Sequence, residues 1–203
     1  SSLVDSEWVG LLTYSLVIGW QAEKFGENGP QSWADFWNTE AYPGTRSMFK
    51  SVSHALEAAL MADGVDPMDV NTVLRSAGGV DRAFAKLEEI APDITVWYRG
   101  GSQAAQLMAD EEIDIIQIGN GRAEALNADA LKVGFTWNQG TTDANCLLVP
   151  KGAPNRDNAM LVINEILSAE AQARMAVAIS YGPVNANAFS TGLISPELAA
   201  KNN

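Results

Sequence analysis

Between Ile94 and Ile118 the chain reads strand, helix, strand, and this order constrains the fold more than any other feature of the sequence. Ile94 to Tyr98 is a run of β-branched and aromatic residues, Ser102 to Ala109 has helical spacing, and Ile113 to Ile118 is dominated by isoleucine. A helix between two strands carries the chain back across the sheet, so the strands run parallel. The fold class is therefore α/β, with a mixed or parallel sheet flanked by helices.

The flanking sequence extends this pattern. Leu11 to Trp20 is an apolar run that reads as a buried strand. After a Gly- and Pro-rich loop, Ser32 caps a short helix with Trp33, Phe36 and Trp37 on one face. Lys50 to Asp63 keeps a 3.6-residue period through Val52, Ala55, Leu56, Ala59 and Leu60, and Gly64 closes it. A second helix is predicted to start at Asp66 and Pro67, with Val70, Val73 and Leu74 inward. A third runs from Gly79 to Ile90 with Phe84, Leu87 and Ile90 inward, and Pro92 stops it. Leu131 to Trp137 and Asn145 to Val149 read as two further strands, separated by a turn at Asn138-Gln139-Gly140. Helices over 155–167 and 169–179 follow, and Ser195-Pro196-Glu197 opens a last one.

Charge excludes one class of partner. With 13 basic and 25 acidic residues the formal charge is −12, and a phosphate backbone needs a basic face, so nucleic acid is not a partner. No apolar stretch reaches the length of about 18 residues that a membrane span needs. Cys146 has no second cysteine to pair with and reads as a small buried hydrophobe.

Catalytic machinery is sparse, and the chain reads as a binding protein rather than an enzyme, with no cofactor. There is one histidine, no Gly-x-Ser-x-Gly elbow and no His-Glu-x-x-His helix. His54 reads as a solvated or edge-packed side chain. Gly119-Asn120-Gly121-Arg122-Ala123-Glu124 follows a strand and precedes a helix, as a dinucleotide fingerprint does, but Glu124 stands where the third glycine belongs. The six tryptophans read mostly as core, with one or two facing a cleft. Three readings remain open at this point: a solute-binding protein, a nucleotide-binding enzyme using the Gly119–Arg122 turn, and a free-standing interaction module.

An ordered set of segments carries a resemblance. These are Ser32-Trp33-Ala34-Asp35-Phe36-Trp37, Leu56 to Val65, Asp81 to Leu87, Gln106 to Asp110, Asn120-Gly121-Arg122, Val149 to Asn155, and Tyr181-Gly182-Pro183-Val184-Asn185. Together they resemble the spermidine/putrescine-type periplasmic solute-binding proteins of ABC importers, over nearly the whole chain. The resemblance implies a periplasmic-binding-protein type II-like fold whose two lobes trap a solute in an interlobe cleft, with the first lobe incomplete here. It implies residues 1–20 as the end of lobe one and the first crossover strand, and 21–142 as lobe two. Residues 143–185 would return to lobe one, and 186–203 would form a tail packing on lobe two. It further implies a periplasmic location, a precursor with a signal peptide, and a membrane permease of an ABC importer as partner.

Carried over residue by residue, the resemblance implies ligand contacts at Tyr14, Ser51, His54, Arg99, Ser102, Asn120, Asp143, Asn145 and Tyr181. The acids that read a polyamine in that family map onto Lys50-Ser51-Val52-Ser53-His54, which has none. A stacking tryptophan maps onto Gly119, and an aspartate maps onto Asn145, with Asp143 two residues earlier on the same strand face. Arg46, Lys50, Arg99 and Arg122 fall near the loops expected to face the cleft. A diamine there would meet positive charge with few carboxylates, so the expected solute is a small polar, amino-acid-like or zwitterionic molecule, with a polyamine second.

Overall fold

A computed structural model of the chain describes residues 7–128 and 133–201. In chain order the elements are strand β1 (Val9–Gln21), helices α1 (Ala22–Phe25) and α2 (Trp33–Trp37), strand β2 (Arg46–Phe49), and helices α3 (Val52–Ala62), α4 (Val70–Arg75) and α5 (Gly79–Ile90). Strand β3 (Ile94–Tyr98), helix α6 (Gly101–Ala109), strand β4 (Ile115–Gly119), helix α7 (Asn120–Ala128) and strand β5 (Val133–Leu147) follow. Helices α8 (Arg156–Ile166) and α9 (Ala169–Ile179), strand β6 (Gly182–Pro183) and helix α10 (Pro196–Lys201) complete the chain. The chain divides into a continuous unit, residues 15–141, and a split unit made of 1–14 with 142–203.

In the continuous unit the strand order is β3-β2-β4-β1-β5. β2 pairs in parallel with both β3 and β4, while β1 runs antiparallel to β4 with Val17 opposite Ile118. The strand–helix–strand reading therefore gives the right direction but the wrong neighbours, because β2 lies between the two strands. Sequence reading placed no strand at Arg46-Ser47-Met48-Phe49, a segment of four residues without apolar alternation.

Adjacent residues on these strands point to opposite faces, and helices cover both faces. Ile18, Met48, Ile94 and Ile115 pack with Trp33, Phe36 and the apolar sides of α3 and α5. Val17, Ile116, Ile118 and Val133 pack with Leu107, Met108, Ala123 and Leu126 from α6 and α7. Trp20 requires two glycines as neighbours: a Cβ on Gly29 would stand 2.1 Å from its indole, and one on Gly134 would stand 2.2 Å away.

The cap at Ser32 forms as read, with its side chain accepting from the Asp35 amide. Several other expectations are corrected. Val52 and Phe84, expected inward, are 64% and 46% exposed; Ala83 is the buried residue near the middle of α5. Asp66 does not cap a helix. Its carboxylate accepts from the Met68 amide in a local turn, and α4 begins only at Val70. The strands expected on either side of 138–140 form one strand, β5; Leu131 and Lys132 lie outside the described residues. Gln139 adopts φ +59° without reversing the chain, because its carbonyl accepts the Trp33 indole N–H and its side chain accepts the Trp33 amide. Cys146, expected buried, is exposed.

In the split unit β6 pairs antiparallel with β1, Thr13 opposite Gly182. Gln172 on α9 is fully buried, donating to the carbonyls of Leu11 and Ile166 and accepting the Val184 amide. The segment after Asn185 groups with the split unit, where Ala188 and Ile194 bury against Ala173 and Ala176.

Arg46, expected at a cleft loop, is 1% exposed inside the continuous unit. Its guanidinium donates to the carbonyls of Phe36, Gly44, Asn38 and Tyr42. Burial lowers its pKa, and Asp93 and Asp114 oppose that. Arg46→Met strands these carbonyls, and Arg46→Lys brings one ammonium to a site shaped for a fork. Both substitutions are expected to lower stability by about 3 kcal/mol in urea titrations.

Asp114 closes the same end of the sheet. Its Oδ2 accepts from Lys24 Nζ at 2.8 Å and from the Thr45 amide at 2.8 Å. Burial would raise its pKa, but the hydrogen bonds from Lys24 and Thr45 outweigh burial and hold it below the usual carboxylate range. A depressed carboxylate stabilises fully above its unfolded pKa of about 4, and that contribution is lost as pH falls through the lower folded value. Asp114→Asn is expected to cost about 1 kcal/mol at neutral pH. Denaturant titrations at falling pH are expected to show this difference vanishing in acid.

Candidate ligand-binding site

The parallel strands β2, β3 and β4 are neighbours, so their carboxyl ends lie along one edge of the continuous unit. Five of the sequence-predicted residues sit on the segments that leave this edge: Ser51 and His54 after β2, Arg99 and Ser102 after β3, and Asn120 after β4. This edge is where open α/β sheets bind ligands.

A hydrogen-bonded network fixes the edge. Gln117 on β4 is fully buried; its Oε1 accepts the Phe49 amide at 3.1 Å and its Nε2 donates to the His54 carbonyl at 3.4 Å. The Tyr98 hydroxyl donates to the Gln117 carbonyl at 2.8 Å, and the Lys50 amide donates to the Tyr98 carbonyl at 2.8 Å. Gln117 thus ties together the ends of β2 and β4 and the start of α3. Sequence reasoning missed it, although a single amide inside Ile115-Ile116-Gln117-Ile118 was the available signal, since a buried amide needs partners.

His54 is buried, 5% exposed, which corrects the expectation of a solvated or edge-packed side chain. Its φ of +66° and the extended Ser53 interrupt the first turn of α3, so regular helix begins at Ala55. A positive φ is unfavourable for a residue with a Cβ, and here the surrounding bonds hold it. His54 Nδ1 lies 2.8 Å from the Thr141 hydroxyl. Asn120 is 4% exposed, and its Oδ1 accepts the Ser15 amide at 3.0 Å. Arg99 and Ser102 are exposed, and Ser51 is half-buried.

Beside Ser51 lies a groove of ≈ 460 Å³, lined by Val52, Phe84, Leu87 and Trp97 with Lys50 and Glu88. It accounts for the exposure of Val52 and Phe84 and places one tryptophan at a surface recess. At the fingerprint-like segment β4 passes directly into α7, and Asn120, Gly121 and Ala123 are buried. No glycine-rich loop intervenes to wrap a phosphate. Among the described residues no group of three or more His, Cys, Asp or Glu side chains gathers to hold a metal.

The split unit brings three more of the predicted residues together. Tyr14 precedes the unit boundary on β1, and the β1–β6 pairing sets it beside Tyr181, with ring centroids 6.2 Å apart. Burial, then the Asp143 carboxylate, then Tyr181 push the Tyr14 hydroxyl above its usual pKa. Asn145, two residues further along β5, is exposed. A carboxylate acting on the Tyr14 phenol, whose ring lies against Tyr181, suits a cation.

Residues 4–202 match the family described as Bacterial extracellular solute-binding protein. The chain is 36% identical over 178 residues to the gamma-aminobutyric acid-binding protein of Pseudomonas aeruginosa, covering 87% of this chain and 50% of that protein. It is 24% identical over 200 residues to the spermidine/putrescine-binding periplasmic protein of Escherichia coli (strain K12), covering 92% and 53%. Among solved structures, the PBP MotA from A. tumefaciens B6 in complex with glucopine matches with a TM-score of 0.93 and 34% identity, covering 98% of this chain and 62% of that one. The chain spans about half the length of the curated relatives it matches. Its sheet order, its helical layers and a match along nearly its entire length make it a member of the bacterial extracellular solute-binding protein family.

Proposed function

We propose that the protein carrying this chain is the periplasmic solute-binding component of an ABC importer, delivering a small polar organic solute to a membrane permease. The observation that carries the reading is the hydrogen-bonded edge at the carboxyl ends of β2, β3 and β4, where Gln117 holds the segment between β2 and α3, Tyr98 at the end of β3 bonds to Gln117 and Lys50, and Asn120 ties the start of α7 to β1. Such a preformed polar surface suits reversible binding with few reorganised groups. Family membership supports the transport role.

The proposed solute contacts on the continuous unit are Ser51, His54, Arg99, Ser102 and Asn120. Those on the split unit are Tyr14, Asp143, Asn145 and Tyr181. An amino-acid-like or zwitterionic solute is favoured over a polyamine. The gamma-aminobutyric acid-binding relative is the more similar in sequence, at 36% against 24% identity, and the segment Lys50–His54 has no carboxylate to meet a diamine. In this proposal the continuous unit corresponds to the second lobe of the family.

Calorimetry against γ-aminobutyrate, the standard amino acids, putrescine and spermidine tests the reading. One small solute is expected to bind with a Kd of about 1 μM and to raise the melting temperature when added in excess. Absence of binding across the whole panel, with the protein folded, would overturn the reading.

A further inference from the structure

The chain carries 13 basic residues against 25 acidic ones, and six of the basic side chains are committed to partners within the fold. Lys24, Arg82, Lys86, Arg156 and Arg174 each pair with a carboxylate. Arg46 is buried on four carbonyls. Lys50, Arg99 and Arg122 stand apart from these. All three are exposed, and none makes an ion pair among the described residues. Each lies on a segment that leaves the same sheet edge: Lys50 directly after β2, Arg99 directly after β3, and Arg122 as the third residue of α7, after β4.

Segments 50–54, 99–103 and 119–124 hold these three cations and His54 against one acid, Glu124. In a chain with a formal charge of −12, this edge has the opposite sign from the molecule as a whole. Arg122 also lies against the segment that carries Arg99: a Cβ on Gly101 would stand 3.2 Å from Arg122 Nε. Like charges on neighbouring segments repel one another, and an anion shared between them relieves that repulsion. A carboxylate matches the planar fork of arginine.

Asn120 gives a second, independent indication. The Ser15 amide can only meet an acceptor, so its 3.0 Å hydrogen bond fixes which end of the Asn120 side chain is Oδ1. The other end, Nδ2, is a donor. Any solute contact through the end of the Asn120 side chain that does not face Ser15 is therefore made to an acceptor atom, and an ammonium finds no partner there.

We infer that the edge formed by the carboxyl ends of β2, β3 and β4 reads a carboxylate group of the solute, with Arg99 and Arg122 as its charge partners, Lys50 adding to the field and Asn120 donating through Nδ2. The inference rests on the solute-binding reading and names the chemical class that this edge selects.

The test compares γ-aminobutyrate and the standard amino acids with their carboxamides, and with putrescine, by calorimetry on the protein carrying this chain. The wild type is expected to bind one carboxylate solute and to bind its carboxamide roughly 100-fold more weakly. Arg99→Gln with Arg122→Gln is expected to weaken the carboxylate solute by about the same factor and the carboxamide by less than about 3-fold, with an unchanged melting temperature because both side chains are exposed. Equal binding of carboxylate and carboxamide, tight binding of putrescine alone, or a double variant that still binds the carboxylate within about 3-fold of wild type overturns the inference and leaves the solute-binding reading standing. If nothing in the panel binds, both fail together.

Discussion

The parallel pairing of the short strand β2 with both β3 and β4 is the constraint on which the rest of the continuous unit depends. Parallel neighbours deliver their carboxyl ends to one side, so the segments after β2, β3 and β4 emerge together although they are far apart in sequence. A hairpin arrangement of the same strands would have sent alternate loops to opposite ends. The site is thus a consequence of strand direction before any side chain is considered.

A strand of four residues contributes little pairing of its own, and buried polar groups hold it at both ends. At its start, Arg46 gathers the carbonyls of Phe36, Gly44, Asn38 and Tyr42, and Asp114 binds Thr45 and Lys24. At its end, Gln117 takes the Phe49 amide and reaches the His54 carbonyl. Buried polar groups are costly when unsatisfied, so networks of this kind admit one arrangement and penalise shifted registers. The positive φ of His54 is held within this framework, which lets the chain turn from β2 into α3 with few residues. Asn120 and His54, both expected to meet solute, also bond to Ser15 and Thr141, the first and last residues of the continuous unit.

Much of the fold was legible. The boundaries of α5 and the capped helix at Ser32 follow from helical periodicity and from a hydroxyl in the right place, both local properties of the chain. Strand β1 was marked by its apolar length. The resemblance to solute-binding proteins was carried by segments whose order survives even where individual residues differ, and the family match bears it out. The strand β2 was illegible, because Arg46-Ser47-Met48-Phe49 is too short for a period and begins with a charge. The turn expected at 138–140 failed for a similar reason: Asn138-Gln139-Gly140 has turn composition, but two hydrogen bonds from Trp33 keep the backbone running on as strand.

The sequence by itself determined the class of fold, the helices whose apolar faces repeat at 3.6 residues, and the absence of carboxylates from Lys50–His54. These are properties of neighbouring residues, and chain-local physics suffices to read them. Tertiary structure decided which strands are neighbours, that Arg46 is a buried structural cation while Lys50, Arg99 and Arg122 share an exposed edge, and that Gln117 and Asn120 are fixed by backbone groups distant in sequence. Those outcomes depend on which carbonyls and amides meet once the sheet has assembled, and a side chain's role as anchor or as reader follows from the partners that the assembly provides.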